Sequence, residues 1–228
     1  MNCNDCASRS CLVFKYCSDE NTENILNKKS CIEYPSRQNI IKEGSLITGV
    51  FFVQSGTVKV FKDGLNGKEQ IIRIAKPGDI LGHRGFSKNM NYPISALTLE
   101  KSKICFLEYD AFFSLLKTTP EFTLKMFELY AATLTDAEAR LRNMAQMTVR
   151  ERIAETLLLI FTSVSTDNIG ALNIVLSRQE IADIAGTNAD QVSRELVSLE
   201  KDGIISLKGR QIVIKDLEKL EVIIEKYD

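Results

Sequence analysis

An α+β chain is predicted, with strands gathered in the first half, one long helix in the middle, and short helices ending in a hairpin. Three observations predict it. From Glu33 to Leu107, short apolar or alternating runs are punctuated by glycine, the pattern of strands and tight turns. From Pro120 to Ala145, apolar residues recur at heptad spacing. From Leu176 to Gly203, two short amphipathic patterns flank Gly186, and a hairpin pattern follows.

Composition bounds the possibilities. With 228 residues and 44% hydrophobic content, the chain can build one or two real cores. No apolar run approaches the roughly 18 residues of a membrane span, and the polar, cysteine-rich start is unlike a signal peptide. A cytoplasmic protein without a membrane partner is expected. Thiols are reduced there, so the six cysteines read as metal ligands, redox sensors or buried hydrophobes in preference to disulfides.

Residues 1–18, MNCNDCASRSCLVFKYCS, form a cysteine-rich segment. Cys3-x-x-Cys6 is a spacing at which two thiolates can hold one metal ion or one edge of a cluster. Residues 19–118 read as a β domain, in which a short helix from Asn24 to Lys29 comes ahead of the first strand. Ile40-Ile41, Val50 to Val53, Val58 to Phe61, Ile71 to Ile74 and Ile104 to Leu107 are its strand candidates. Many short strands at close spacing predict a small barrel, roll or jelly roll. His83, the single histidine, stands beside Arg84 and reads as a partly exposed polar residue, with a haem or metal ligand as the alternative.

Asp110 to Lys117 is a short helix. Thr119 caps the next one and Pro120 takes its first position. In this long helix, residues 119–146, Phe127, Leu134 and Leu141 recur every seven residues, as do Tyr130, Ala137 and Met144. Two interlaced heptad positions make a seam for a parallel partner helix; the alternative is a stripe packed on the chain's own β domain. A further helix runs from Val149 to Val164, and Ser163 to Asn168 is a polar loop. The domain boundary falls near Gln146, leaving 147–228 as the last domain.

In that domain Ser177 and Glu180 form a capping box, and Ile181, Ile184 and Ala185 share the inner face of the helix they open. Gly186 turns the chain. Asn188 caps a second helix, with Gln191 at the reciprocal position. Val192, Leu196 and Leu199 make its inner stripe, leaving Ala189, Asp190, Ser193 and Arg194 at its leading end. Lys208-Gly209-Arg210 turns a hairpin between two apolar strands. A helix-turn-helix followed by such a wing presents one helix to the major groove of double-stranded DNA. The 147–228 segment nevertheless carries 10 Lys+Arg against 14 Asp+Glu. Its useful positive charge must therefore concentrate on one face through Arg178, Arg194, Lys201, Lys208 and Arg210. Modest affinity that depends on dimerisation is expected.

The run SRQEIADIAGTNADQVSRELVSLEKDGIISLKGRQIVIKDLEKL resembles the DNA-binding domain of the CRP/FNR family of bacterial transcription regulators. KEGSLITGVFFVQSGTVKVFK and AKPGDILG resemble that family's cyclic-nucleotide-binding β-roll. The resemblance implies a β-roll sensor, a dimerisation helix and a winged helix-turn-helix. It also implies a homodimer on a palindromic site, with RNA polymerase as a further partner. Where the family's recognition helix reads Glu-Thr-Val-Ser-Arg, this chain has Asp190-Gln191-Val192-Ser193-Arg194. Arginine there binds guanine O6/N7 and the carboxylate accepts from cytosine N4; an intrahelical ion pair is the alternative. Ser193 resembles the oxygen-sensing branch and its TTGAT-like half-site. Ala189 stands where the cAMP branch carries an additional base-reading arginine.

The cyclic-nucleotide pocket departs from the family pattern. Gly82-His83 stands where Gly-Glu belongs, and Ile94-Ser95-Ala96 where Arg-Ser-Ala belongs. A buried phosphate would lack its charge-assisted partner, so cAMP is not expected, although Arg84 could substitute. Gly82, His83, Arg84 and Ser95 are then candidates for a different effector pocket, and haem binding by some family members keeps that reading of His83 open. In the oxygen-sensing branch, three N-terminal cysteines and a distant one hold a [4Fe–4S] cluster. Cys3, Cys6, Cys11 and Cys105 resemble that set, although the second gap holds four residues where the branch has five and Cys17 competes for the third place. Zinc, a thiol redox switch and no metal at all stay open. An enzyme would need a nucleophile–base pair or paired acids, which this chain does not present. A redox or ligand sensor whose wing binds protein is the remaining rival.

Overall fold

The computed structural model describes residues 11–16, 29–86, 90–163 and 175–224. The chain divides into two compact units, Met1–Asp63 with Arg73–Thr135 and Gly64–Ile72 with Asp136–Asp228. The expected helix from Asn24 to Lys29 and most of the polar loop after Ser163 lie outside the described residues.

A short helix α1 (Leu12–Tyr16), not foreseen from the sequence, precedes eight strands: β1 (Ser30–Tyr34), β2 (Asn39–Ile41), β3 (Gly49–Ser55), β4 (Val58–Asp63), β5 (Glu69–Ala75), β6 (Ile80–Leu81), β7 (Ser95–Thr98) and β8 (Ser102–Glu108). They form two four-stranded sheets, ordered β1-β8-β3-β6 and β2-β7-β4-β5. In β3 the residues from Gly49 to Gln54 are all buried, as expected of a strand covered on both faces. The apolar interior under the first sheet is built from Val50 and Phe52 of β3, Cys105 and Leu107 of β8, and Phe112 and Leu115 of the following helix. That helix, α2 (Tyr109–Thr118), gathers its apolar face on Ala111, Phe112 and Leu115. Phe122 and Met126 of the next helix complete the same cluster.

Helix α3 (Pro120–Gln146) has 27 residues, about 40 Å at 1.5 Å per residue. It starts where proline places it, with the Thr119 carbonyl accepting from the Thr123 amide at 3.1 Å. The Thr119 hydroxyl, however, is buried and caps nothing. The expected side-chain cap is therefore corrected.

The second unit contains α4 (Val149–Ser163), α5 (Arg178–Ala185), α6 (Ala189–Lys201), the hairpin β9 (Ile205–Lys208) and β10 (Gln211–Ile214), and α7 (Leu217–Val222). The capping box at Ser177 closes, with the Glu180 amide donating to Ser177 Oγ at 3.1 Å and the Ser177 amide to Glu180 Oε2 at 2.9 Å. Gly186 takes a φ of 65°, a left-handed conformation that glycine adopts at low cost, and so ends α5. Asn188 Oδ1 accepts from the Gln191 amide at 2.9 Å. The reciprocal half does not form, because Gln191 Oε1 accepts from the Thr187 hydroxyl instead. Ile181, Ile184, Ala185, Val192, Leu196 and Leu199 are all buried, as their spacing requires. Arg150 of α4 clamps the far end of α6, donating to Ser198 Oγ at 2.9 Å and Asp202 Oδ2 at 2.6 Å.

Candidate functional site

Helix α6 buries Val192, Leu196 and Leu199 and thereby turns the opposite face outward. Asp190, Ser193 and Arg194 are exposed on that face and Ala189 is half-buried. Asp190 and Arg194 are one helical turn apart. Among the described residues neither side chain has an ion-pair or hydrogen-bond partner, so the intrahelical bridge weighed above does not form. An exposed guanidinium and carboxylate at the start of a surface helix are available to base edges. Ser193 Oγ donates to the Ala189 carbonyl at 2.9 Å, which leaves it able to accept from outside.

The wing carries two exposed cations at its tip. Gln211 pairs with Lys208 across the hairpin, which leaves a two-residue loop of Gly209 and Arg210. Gly209 has a φ of 63°, suited to the tight hairpin turn that fits twisted strands. Lys208 and Arg210 are exposed at the tip. Arg178, at the first position of α5, is half-buried, and desolvation pulls its pKa below the ordinary arginine value. It is the least accessible of the expected DNA-contacting cations.

On α3 the proposed seam is open. Phe127, Leu134 and Leu141 are 68%, 61% and 71% exposed, and Ala137 and Met144 are exposed as well. Such a row of large apolar side chains on one helix face calls for a cover. Tyr130 is shared: its ring is partly exposed, yet its hydroxyl donates to the His83 carbonyl at 2.6 Å. Burial raises the Tyr130 pKa.

The β-roll contains a cavity of about 10 Å³, room for roughly one water molecule. Val60, Leu81 and Ile94 line one part of it, and Arg73, His83 and Arg84 another. Gly82 forms its rim with a φ of 80°, and a Cβ there would stand 2.7 Å from the Tyr92 ring. His83 is 4% exposed, which corrects the expectation of a partly exposed residue. Neither ring nitrogen has a hydrogen-bond partner. Burial, then the neighbouring Arg73 and Arg84 charges, push its pKa down to about 3. The Ile80 carbonyl pulls weakly the other way without making a bond of adequate geometry to the ring. Ser95 does not line the cavity. Its Oγ accepts from the Glu43 amide at 3.0 Å, so its candidacy as an effector contact is corrected.

Arg73 was missed in the sequence, where it is one polar residue in an apolar strand. It donates to the Ile80 carbonyl at 2.6 Å and lies 3.6 Å from Asp79. Burial lowers its pKa, and the nearby Arg84 adds to that shift against the opposing pull of Asp79. Ile94, standing where the family's phosphate-binding arginine belongs, is a buried apolar wall of the cavity. The family's phosphate-binding arginine thus has no counterpart at this position.

The cysteines hold a surprise. Cys31 of β1 and Cys105 of β8 are directly opposed in the strand register, with Cα atoms 4.0 Å apart, and are joined by a disulfide. This corrects both the expected absence of disulfides and the assignment of Cys105 as a thiolate ligand. The physical reason is the pairing of two strands whose cysteines lie 74 residues apart in the chain. Cys11 is half-buried against the same apolar cluster. Cys3, Cys6 and Cys17 lie outside the described residues. With Cys105 bonded to carbon and to a second sulfur, the four-cysteine set does not fit a [4Fe–4S] cluster in this state. Among the described residues no three ligating side chains come together. Alkylation before and after reduction is expected to differ by two labelled thiols, on the peptides carrying Cys31 and Cys105. Equal labelling in both samples would show that the pair is a dithiol.

Among the described residues no helix is long and apolar enough to cross a membrane. Comparison with known proteins supplies the wider setting. The sequence model of the cyclic nucleotide-binding domain matches residues 31–119, and that of the Crp-like helix-turn-helix domain matches residues 151–223. An "Anaerobic regulatory protein" of Pasteurella multocida is 27% identical over 96% of this chain and 81% of its own length. The "cAMP-activated global transcriptional regulator CRP" of Salmonella typhimurium is 27% identical over 80% of this chain and 88% of its own. The structure of FixK2 from Bradyrhizobium japonicum shares the fold at a TM-score of 0.76, covering 86% of this chain and 96% of that one at 23% identity.

Proposed function

Because the chain belongs to the CRP/FNR family of DNA-binding transcription regulators, we propose that it acts as a homodimer on a palindromic DNA site under the control of a signal other than cAMP. It is a regulator and not an enzyme. The observation that carries the proposal is the exposed pair Asp190 and Arg194 on a helix whose other face is buried. Two copies joined along α3 would present two such helices to successive major grooves, roughly 34–36 Å apart. Lys208 and Arg210 would meet phosphates, and RNA polymerase in the cytoplasm would be the further partner.

For the signal, the β-roll offers two devices, the cysteine pair and the arginine-lined cavity. The family resemblance and the names of anaerobic relatives support a redox or oxygen signal. A four-cysteine set of Cys3, Cys6, Cys11 and Cys105 would need the Cys31–Cys105 bond reduced; an anaerobic absorbance spectrum with metal analysis tests that reading separately.

Selection of bound fragments from a randomised duplex library tests the main proposal. An inverted repeat with half-sites one helical turn apart is the expected result. Enrichment of no motif, or of a single unrepeated one, would overturn the dimeric readout.

A further inference from the structure

We propose that Arg152 is the positioning residue that fixes each reading head against the end of α3, and so sets the one half-site spacing that the dimer accepts. This rests on the reading of the chain as a homodimer on a palindromic site.

The elbow between α3 and α4 leaves little slack. Only Met147 and Thr148 separate the two helices. Thr148 and Glu151 form a capping box at the start of α4, the Thr148 amide donating to Glu151 Oε2 at 2.7 Å and the Glu151 amide to Thr148 Oγ1 at 3.4 Å. On the α3 side, buried Asn143 donates through Nδ2 to Glu155 Oε1 at 2.5 Å, a strut across the bend. The last residues of α3, from Asp136 onward, belong to the same compact unit as the helix-turn-helix.

Arg152 ties that elbow to the helix-turn-helix. Its Nε donates to the Ala185 carbonyl at 2.8 Å and its Nη1 to the Met147 carbonyl at 2.9 Å. Longer contacts run from Nη1 to the Met144 carbonyl at 3.4 Å and from Nη2 to the Gly186 carbonyl at 3.5 Å. Ala185 and Gly186 end α5, while Met144 and Met147 lie at the end of α3 and just past it. The last carbonyls of a helix have no partner within it and carry the negative end of its dipole. One planar guanidinium therefore serves two helix ends at once, a geometry that the ammonium of a lysine does not reproduce.

A separate contact seats the same turn. A Cβ at Gly186 would stand 2.6 Å from Met144 Cε, so the turn of the helix-turn-helix lies directly against α3. Gly186 comes two residues before Asn188, which caps α6. Where the turn sits, the reading helix begins.

Spacing is the property such a joint controls. Each base pair added between two half-sites moves them about 3.4 Å apart and turns one against the other by roughly a tenth of a revolution. A head held by Arg152, by the Asn143 strut and by Met144 cannot follow that change. A head on a loose joint can.

The test uses the full-length protein and duplexes carrying the selected half-site as an inverted repeat. The spacer is the selected one, or one or two base pairs longer or shorter, and a further duplex carries a single half-site. Fluorescence anisotropy is expected to show wild-type affinity falling about tenfold or more off the selected spacing, because the two heads no longer engage together. Arg152→Gln should keep single half-site affinity within about twofold, as a change remote from the base contacts does. Its preference among spacings should shrink to about threefold or less. Arg152→Lys should fall between. Arg150→Ala, which loosens the far end of α6 inside the head, should weaken half-site binding and leave the spacing preference as it was. Spacing selectivity that persists in Arg152→Gln, or that is lost equally in Arg150→Ala, would overturn the assignment, as would a wild-type protein indifferent to spacing. Should Arg152→Gln lose half-site binding altogether, Arg152→Lys decides: relaxed spacing with intact half-site binding supports the role, and unchanged spacing overturns it. Selective binding whose spacing ignores Arg152 leaves the regulator standing. A wild-type protein that selects no site at all defeats the regulator itself.

Discussion

Replacing Arg194 with Ala is expected to abolish preference for the selected palindrome while leaving the protein folded and dimeric. The guanidinium is exposed and has no partner within the described residues, so its removal opens no cavity and breaks no internal bond. What it removes is a bidentate contact worth about 1–3 kcal/mol at each half-site. Over two half-sites that is about 2–6 kcal/mol, or roughly 30-fold to 10⁴-fold in the ratio of specific to non-specific affinity. Lys208→Ala provides the contrast. A lysine facing phosphate should weaken binding to every sequence alike and reduce the salt dependence by about one unit of slope per protomer. Competition binding at two salt concentrations separates the two effects. If Arg194→Ala keeps full selectivity, α6 is not the reading element, and a wing that binds protein becomes the better account.

Leu134→Asp is expected to yield a monomer. Leu134 is 61% exposed on the isolated chain, so a carboxylate there costs the monomer little. In a parallel helix pair the same position faces its own copy, and two carboxylates would be buried opposite each other without partners. Covering Phe127, Leu134 and Leu141 contributes about 1.5–3 kcal/mol per fully buried side chain, which a charged seam forfeits. DNA affinity should fall by roughly 10²–10⁴, because linking two half-site readers makes the second binding event intramolecular. Light scattering and fluorescence anisotropy read the two effects. A Leu134→Asp protein that stays dimeric would place the subunit contact elsewhere.

The helix-turn-helix was legible because its determinants are local. Ser177 and Glu180 lie three residues apart, Gly186 needs a positive φ, and the buried set from Ile181 to Leu199 follows the helical period. The limits of such reading are equally instructive. The Asn188 and Gln191 spacing suggested a second closed box, but Thr187 captured the glutamine side chain, a competition that the motif does not encode. Thr119 stands in the right place to cap α3, yet its hydroxyl faces no donor. The seam on α3 could be read as a stripe; Phe127 and Leu134 are exposed, while Tyr130 of the same stripe bonds the roll through His83.

The sensor is where sequence reasoning reached least far. His83 next to Arg84 read as a partly exposed polar residue, and Cys105 as a small buried hydrophobe of its strand or, by the family resemblance, a cluster ligand. Arg73 lies on β5, His83 in the turn after β6 and Ile94 just before β7; only folding brings their side chains round one cavity. Cys31 and Cys105 meet only because β1 and β8 pair in one register.

By itself, then, the order of residues determined much that depends on neighbours a few positions apart: the two helices of the helix-turn-helix, the Ser177 capping box, their apolar faces, the hairpin, and the outward presentation of Asp190 and Arg194. Tertiary structure alone decided which distant side chains share a cavity or a covalent bond, because strand pairing and burial join residues whose separation along the chain carries no trace of their eventual contact. It also decided that His83 is neutral and unsatisfied, since desolvation and two nearby guanidinium charges exist only once the roll has closed around it.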